Sequence, residues 1–232
     1  MKLHHVTVDV NNDACSSSTQ VQLLFECDWS VGIGGSVWTS GEILTSYFKR
    51  HREHLDTLFH GKRVVELGSG TGIVGLTCAA CFQPSQVILT DLSSQLDCLR
   101  NNVTRNQDKI SGISVAELAW GDEEHIDAVI AQMNVDSSTC KPFQVDVILG
   151  TDVAYLEEAY VPLSSTLNRL AQAHTLILLV INRMDTKLEF FGLLEGFGFS
   201  YYKVSDRYLP SECRGKDYAI FEIKRIQGFE SS

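Results

Sequence analysis

An α/β fold, a parallel sheet with helices on both faces, is what the 232 residues predict, and three observations carry that prediction. From Lys62 onward, short apolar runs rich in β-branched residues alternate with stretches of helical period, the order that βαβ units require. Val64-Val65-Glu66-Leu67 runs straight into Gly68-Ser69-Gly70-Thr71-Gly72, which spells a buried strand, a bare turn and the mouth of a helix. Thr175 to Ile181 is apolar after its first residue, as a central strand covered on both faces must be.

The elements follow in order. Val6, Val8 and Val10 alternate with polar residues, Val21 to Glu26 is strand-like again, and the Ser-rich stretch Asn11 to Thr19 between them predicts a mobile-looped hairpin outside the main sheet. Thr39-Ser40-Gly41-Glu42 has the form of a capping box opening a helix with apolar positions Ile43, Leu44, Tyr47 and Phe48. Then come strand Arg63 to Leu67, helix Ile73 to Cys81, strand Gln86 to Thr90, helix Ser94 to Asn106 and strand Ile113 to Leu118, a right-handed parallel series. Gly121 to Gln144 is polar, acidic at Asp122-Glu123-Glu124, and reads as a surface insertion with one short helix around Ile126 to Met133. Val145 to Gly150 is a buried strand whose carboxyl edge carries Thr151-Asp152-Val153-Ala154-Tyr155. Pro162 suits the first turn of the next helix, and Thr186-Lys187-Leu188-Glu189 suggests a second capping box after the central strand. Phe199 to Val204 and Tyr218 to Ile223 complete the strands.

A formal net charge of -10, with no basic run longer than Lys49-Arg50-His51-Arg52, opposes nucleic acid or anionic lipid as a partner and favours a basic one. Seven scattered cysteines, and an opening Met1 to Val10 without the apolar run of a signal peptide, point to reduced thiols and a cytoplasmic setting. Leu176 to Ile181, the longest apolar run, is far too short to cross a bilayer.

The glycine turn marks the chemistry. Unpaired N–H groups and the helix dipole at such a mouth receive a polar or anionic part of a nucleotide-like ligand. Gly70-Thr71-Gly72-Ile73-Val74-Gly75 with Asp91 also satisfies the dinucleotide pattern G-x-G-x-x-G plus acid. Glu66, two positions before Gly68, tips the balance: a carboxylate facing the ligand suits a cationic amino group better than a pyrophosphate, so E-x-G-x-G-x-G fits S-adenosylmethionine. Asp91 can take both ribose hydroxyls in either case. Trp38, at a helix entrance, and Trp120, between a strand and Gly121, have indole faces that stack on adenine or attract a sulfonium; taken alone either is a core residue, but the carboxyl edge beside the turn favours the ligand role for Trp120. Asp152 and Tyr155 form D-x-x-Y, a carboxylate and a phenol able to hold an amine nucleophile in line with a methyl donor. Glu157 and Glu158 extend an acidic rim or merely start a solvated helix. Cys78-Ala79-Ala80-Cys81 falls in an apolar helix stripe, and His51 and His54 lack the spacing of a zinc helix, so no metal site is expected.

With these residues assembled, the chain resembles the seven-β-strand S-adenosylmethionine-dependent methyltransferases. Within them it is similar to the protein-lysine branch called family 16, whose members modify chaperones, the valosin-containing ATPase and translation elongation factors. Gly34-Gly35-Ser36-Val37-Trp38, Leu118-Ala119-Trp120-Gly121 and Ile148 to Glu158 carry the likeness. The resemblance implies a Rossmann-like seven-stranded sheet with the last strand antiparallel. It implies cofactor contacts from Trp38, Gly68, Ser69, Gly70, Asp91, Trp120 and Thr151, with Asp152 and Tyr155 facing the target lysine. Thr151 stands where many relatives have alanine, and Trp38 precedes Thr39-Ser40-Gly41-Glu42 instead of the commoner Asp-Ala-Ala, a variant closest to fungal enzymes acting on elongation factor 1-alpha.

The expectation is thus one methyltransferase domain over residues 1–232, with 1–36 as a β extension and 37–232 as the catalytic core. It should be a monomer acting on a lysine of an elongation factor, chaperone or ATPase, with S-adenosylmethionine as cofactor. Two other readings compete: an NAD(P)-dependent reductase, which lacks a Tyr-x-x-x-Lys dyad here, and a non-catalytic cofactor-binding protein whose acidic rim holds a partner.

Overall fold

The computed structural model describes residues 2–11, 18–28, 32–134, 145–215 and 217–226. Seven strands form the main sheet: β3 (Arg63–Leu67), β4 (Gln86–Asp91), β5 (Ile113–Glu117), β6 (Val147–Thr151), β7 (Leu176–Asn182), β8 (Phe199–Lys203) and β9 (Tyr218–Arg225). Their order is β5-β4-β3-β6-β7-β9-β8. The first five are parallel, while β9 runs antiparallel to both β7 and β8. The chain leaves β3 toward β4 on one side and later returns to place β6 on the other. That reversal opens a crevice at the carboxyl ends of β3 and β6, where ligands of such sheets bind.

Both faces are covered. Val64, Leu89, Leu149 and Leu178 pack beneath α1 (Thr39–Arg50), α2 (Arg52–Phe59) and α3 (Ile73–Phe82); Val65, Ile148, Ile177 and Leu179 pack beneath α5 (Glu123–Asn134), α6 (Tyr160–Leu170) and α7 (Leu188–Gly196). Every residue of α3 is buried, which accounts for its lack of a polar face and for Cys78 and Cys81 as unpaired core thiols.

The hairpin stands outside this sheet, as the alternation of valines predicts. β1 (Lys2–Asn11) and β2 (Ser18–Cys27) pair antiparallel, and the Ser-rich loop falls mostly on residues 12–17, outside the described residues. β2 docks on α4 (Leu96–Asn106) through two fully buried asparagines one turn apart. Asn106 accepts the Leu24 N–H at 2.9 Å and donates to the Leu24 carbonyl at 2.8 Å; Asn102 does the same for Glu26 at 2.7 and 3.1 Å. These amides stand in for a third strand, satisfying an edge that burial would leave unpaired.

Five local expectations are corrected. The residue before α1 is Trp38, not Thr39, and no side chain caps it; Thr39 instead bonds Tyr218 across the fold. At Thr186 the hydroxyl likewise leaves its own helix and donates to the Ala154 carbonyl at 2.7 Å. The helix after β4 opens with a 3-10 turn, Ser93–Gln95, before α4. Arg52–Phe59 forms a second helix that the apolar pattern did not announce. Finally, the stretch expected as a surface insertion is a core helix instead: α5 is longer at both ends than Ile126 to Met133 and buries Ile126, Val129 and Met133 against the sheet, while residues 135–144 lie outside the described ones.

Candidate active site

The turn after β3 is built by constraint. Gly70 has φ of 53°, in the left-handed region, and a Cβ there would lie 2.8 Å from the Gly34 carbonyl oxygen. Only glycine lets the turn and the loop before Trp38 approach so closely. The Gly70 N–H donates to Asp91 Oδ2 at 2.7 Å, and the Leu92 N–H donates to Oδ1 at 2.8 Å. Burial raises the Asp91 carboxyl above the usual range, while these two N–H groups pull it back. Each oxygen keeps acceptor capacity for an outside donor.

Glu66 does not stand where the sequence suggests. Strand alternation puts it with Val64 on the α3 face, nearly wholly buried, and its Oε2 accepts the Gly75 N–H at 3.0 Å instead of meeting the cleft. Burial pushes its carboxyl up to about 8, so near neutral pH it is largely uncharged and poorly suited to balance a cation. Gly75, the last glycine of the dinucleotide-like pattern, answers to the same packing: a Cβ would lie 2.6 Å from Glu66 Oε2 and 2.2 Å from Leu89. Its presence therefore says nothing about a pyrophosphate.

The other expected residues converge on one cleft of about 620 Å³. Trp38, Gly68, Ser69, Gly70, Asp91, Trp120, Thr151, Asp152 and Tyr155 all line it. Trp120 lies against Gly68, where a Cβ would meet its ring at 3.2 Å. Trp38 and Tyr155 are exposed at the mouth. Asp152 directly follows β6 with φ of 53°, a conformation that aspartate tolerates better than most residues. The Ser40 hydroxyl, fully buried on α1, donates to Asp152 Oδ2 at 2.5 Å. Burial raises the Asp152 carboxyl, Ser40 lowers it, and Asp185 raises it further.

Three groups at this end had no motif to announce them: Ser40, Asp185 and Tyr218. The carboxyl-edge rule could have found Asp185, which lies three residues past the end of β7. Tyr218 starts the antiparallel β9, so its position at this edge becomes visible only once that strand's direction is known.

The cleft suits S-adenosylmethionine on its own terms. Its volume lies in the range of small-molecule sites, and a glycine turn, a strand-end acid, Leu92, Leu118 and an indole offer both polar and apolar ground for a nucleoside. Asp91 can hold ribose hydroxyls, and the Trp120 face can stack on a ring or meet a sulfonium.

A family model described as lysine methyltransferase matches residues 17–197. EEF1A lysine methyltransferase 3 of Mus musculus is 34% identical over 149 residues, 64% of this chain and 56% of that protein. Protein N-lysine methyltransferase METTL21A of Danio rerio is 34% identical over 155 residues, 66% of this chain and 62% of that one. The chain thus spans less than two thirds of either relative. Among solved structures, the CurJ carbon methyltransferase superposes with a TM-score of 0.58 at 13% identity, covering 86% of this chain and 61% of that one, a likeness of fold alone.

Proposed function

The chain belongs to the lysine methyltransferase family, and from that premise we propose that it transfers a methyl group from S-adenosylmethionine to the ε-amine of a lysine in a protein. The observation that carries this reading is the single cleft joining the glycine turn, Asp91 and Trp120 to Asp152 and Tyr155. Gly68 to Thr71, Asp91 and Trp120 would hold the cofactor, and Trp38 would flank it. When bound, the cofactor supplies a methyl group on a positively charged sulfur.

What the chain's own residues do follows from the chemistry of the amine. A free lysine, with a pKa near about 10.4, arrives as an ammonium and must release a proton to water before it can attack. Asp152 and Tyr155 would hold the nitrogen and aim its lone pair at the methyl carbon of a bound donor, whose sulfur would keep the bonding pair as the methyl group leaves it. The work is positioning and electrostatics, with no covalent enzyme intermediate. The product is a methylated ammonium, which the same carboxylate can still accompany.

Translation elongation factor 1-alpha is the substrate we favour, supported by the name of the mouse relative and by the Thr39 to Glu42 variant. Action in the cytosol accords with it and with the buried thiols Cys27, Cys78, Cys81 and Cys98, which form no disulfide. Tritium transfer from labelled cofactor to purified elongation factor 1-alpha, with isothermal titration of S-adenosylhomocysteine, tests the reading. Asp152→Ala should lower transfer by about a hundredfold or more while homocysteine-form affinity changes little. Heat from NADH and none from S-adenosylhomocysteine would return the glycine turn to the reductase reading.

A further inference from the structure

Asp185 and Tyr218 share the end of the cleft with Asp152, and the fold brings them there by construction. β9 runs back against β7 with Tyr218 in register with Asn182, so the start of β9 meets the ends of β6 and β7 at one edge. Asp185 rides on the turn between Asn182 and Lys187, which is fastened on both sides. Toward Asp152, the Thr186 hydroxyl donates to the Ala154 carbonyl at 2.7 Å and the Lys187 N–H donates to the Tyr160 hydroxyl at 3.0 Å. Toward β9, the Arg183 N–H donates to the Asp217 carbonyl at 2.8 Å. Within the turn, the Asn182 amide donates to Asp185 Oδ2 at 2.5 Å and orients that carboxylate.

The charges are arranged for a cation. No lysine or arginine is among the described residues lining the cleft, whereas Glu157 outside it is paired with Lys187. Asp185 and Asp152 repel, which raises the Asp152 carboxyl beyond what burial does, and a cation between them relieves that repulsion. The Tyr218 phenol, un-ionised near neutral pH in any case, is pushed higher by burial and by both carboxylates against the hydrogen bond with Thr39, so its oxygen can accept from an N–H without adding a third negative charge. Asp185 is exposed and Asp152 half-buried, which orders them along the path inward.

We propose that Asp185 is a second carboxylate for the incoming lysine, meeting its ammonium at the mouth and passing it to Asp152, with the Tyr218 hydroxyl as a neutral acceptor beside both. The proposal rests on the transferase reading above and assigns that site its selectivity for a cationic amine.

Titration of n-butylammonium, a lysine side chain without its backbone, into enzyme saturated with S-adenosylhomocysteine tests this without the protein substrate. Wild type should bind it. Asp185→Asn should bind it about three- to tenfold more weakly, as suits a partly solvated charge, and Asp185→Glu should return affinity to within about twofold. S-adenosylhomocysteine affinity should be the same in all three. Equal butylammonium affinity in wild type and Asp185→Asn, or no butylammonium binding by the wild-type complex, overturns the role of Asp185. Failure of S-adenosylhomocysteine to bind wild type overturns the cofactor reading itself and takes this proposal with it, so the two failures are told apart.

Discussion

Asp152 holds its carboxylate at the end of β6 against three groups from three elements: the Ser40 hydroxyl of α1, Asp185 of the turn after β7, and Tyr218 of β9. Of these only Ser40 favours the ionised form, by donating a hydrogen bond to it. The sign of its removal follows. Without that bond the carboxyl rises further, so a rate that needs ionised Asp152 loses its acid side first. Ser40→Ala should move the acid limb of the kcat/KM profile to higher pH, and Ser40→Thr should bring it back; an unmoved limb would show that Asp152 does not titrate in the rate. D-x-x-Y was legible because strand-end carboxylates follow from local pattern. Ser40 was not, since a small polar residue one turn into a helix looks the same whether its hydroxyl faces solvent or a carboxylate from residue 152. Glu66 was misjudged for a related reason: a carboxylate at a strand end can turn to the ligand or to its helix, and only the packing of Gly75 decides.

At the scale of elements, hydrophobic period and glycine punctuation announced the parallel strands well, because β3, β4, β6 and β7 are buried on both faces and flanked by helices that need one apolar stripe. Hydroxyl caps were less legible. Thr39 and Thr186 both sit where a helix begins, and both spend their hydroxyls on distant partners, which tertiary packing can offer at any time. The docking of the hairpin was invisible too, since it depends on two asparagines of α4 imitating a strand. Asn102 also donates to the Thr71 carbonyl at 3.1 Å and so ties the hairpin to the glycine turn, a link Asn106 lacks. Asn102→Ala and Asn106→Ala should each destabilise the fold by about 1–3 kcal/mol per orphaned buried group in urea unfolding. Only Asn102→Ala should also weaken S-adenosylhomocysteine in titration calorimetry. Equal cofactor affinity in both variants would mean that the turn stands without the hairpin.

For the molecule as a whole, Glu66 links acid–base balance to stability. Its folded carboxyl is raised by burial from the ordinary glutamate value of 4.5 to about 8, so the unfolded chain releases this proton first as pH rises. Its contribution is therefore fully present below about pH 4.5 and lost on the way to about pH 8, an effect on the order of a few kcal/mol. Glu66→Gln, which keeps a neutral side chain at every pH, should gain on wild type between pH 5 and pH 8 in urea midpoint; parallel curves would place a charged carboxylate in the core. The net charge of -10 and a described cleft lining without lysine or arginine act in the same sense, and both accord with the proposed basic side chain as substrate.

On the proposed function, one cleft takes a methyl donor at the β3 and β4 ends and a lysine at the β6 end. A crystal structure of the enzyme grown with S-adenosylhomocysteine tests it most directly. The account predicts ribose hydroxyls on Asp91, the nucleoside beside Leu92 and Trp120, and the sulfur facing the Asp152 carboxylate; density in another crevice, or a sulfur turned away from Asp152, would contradict it.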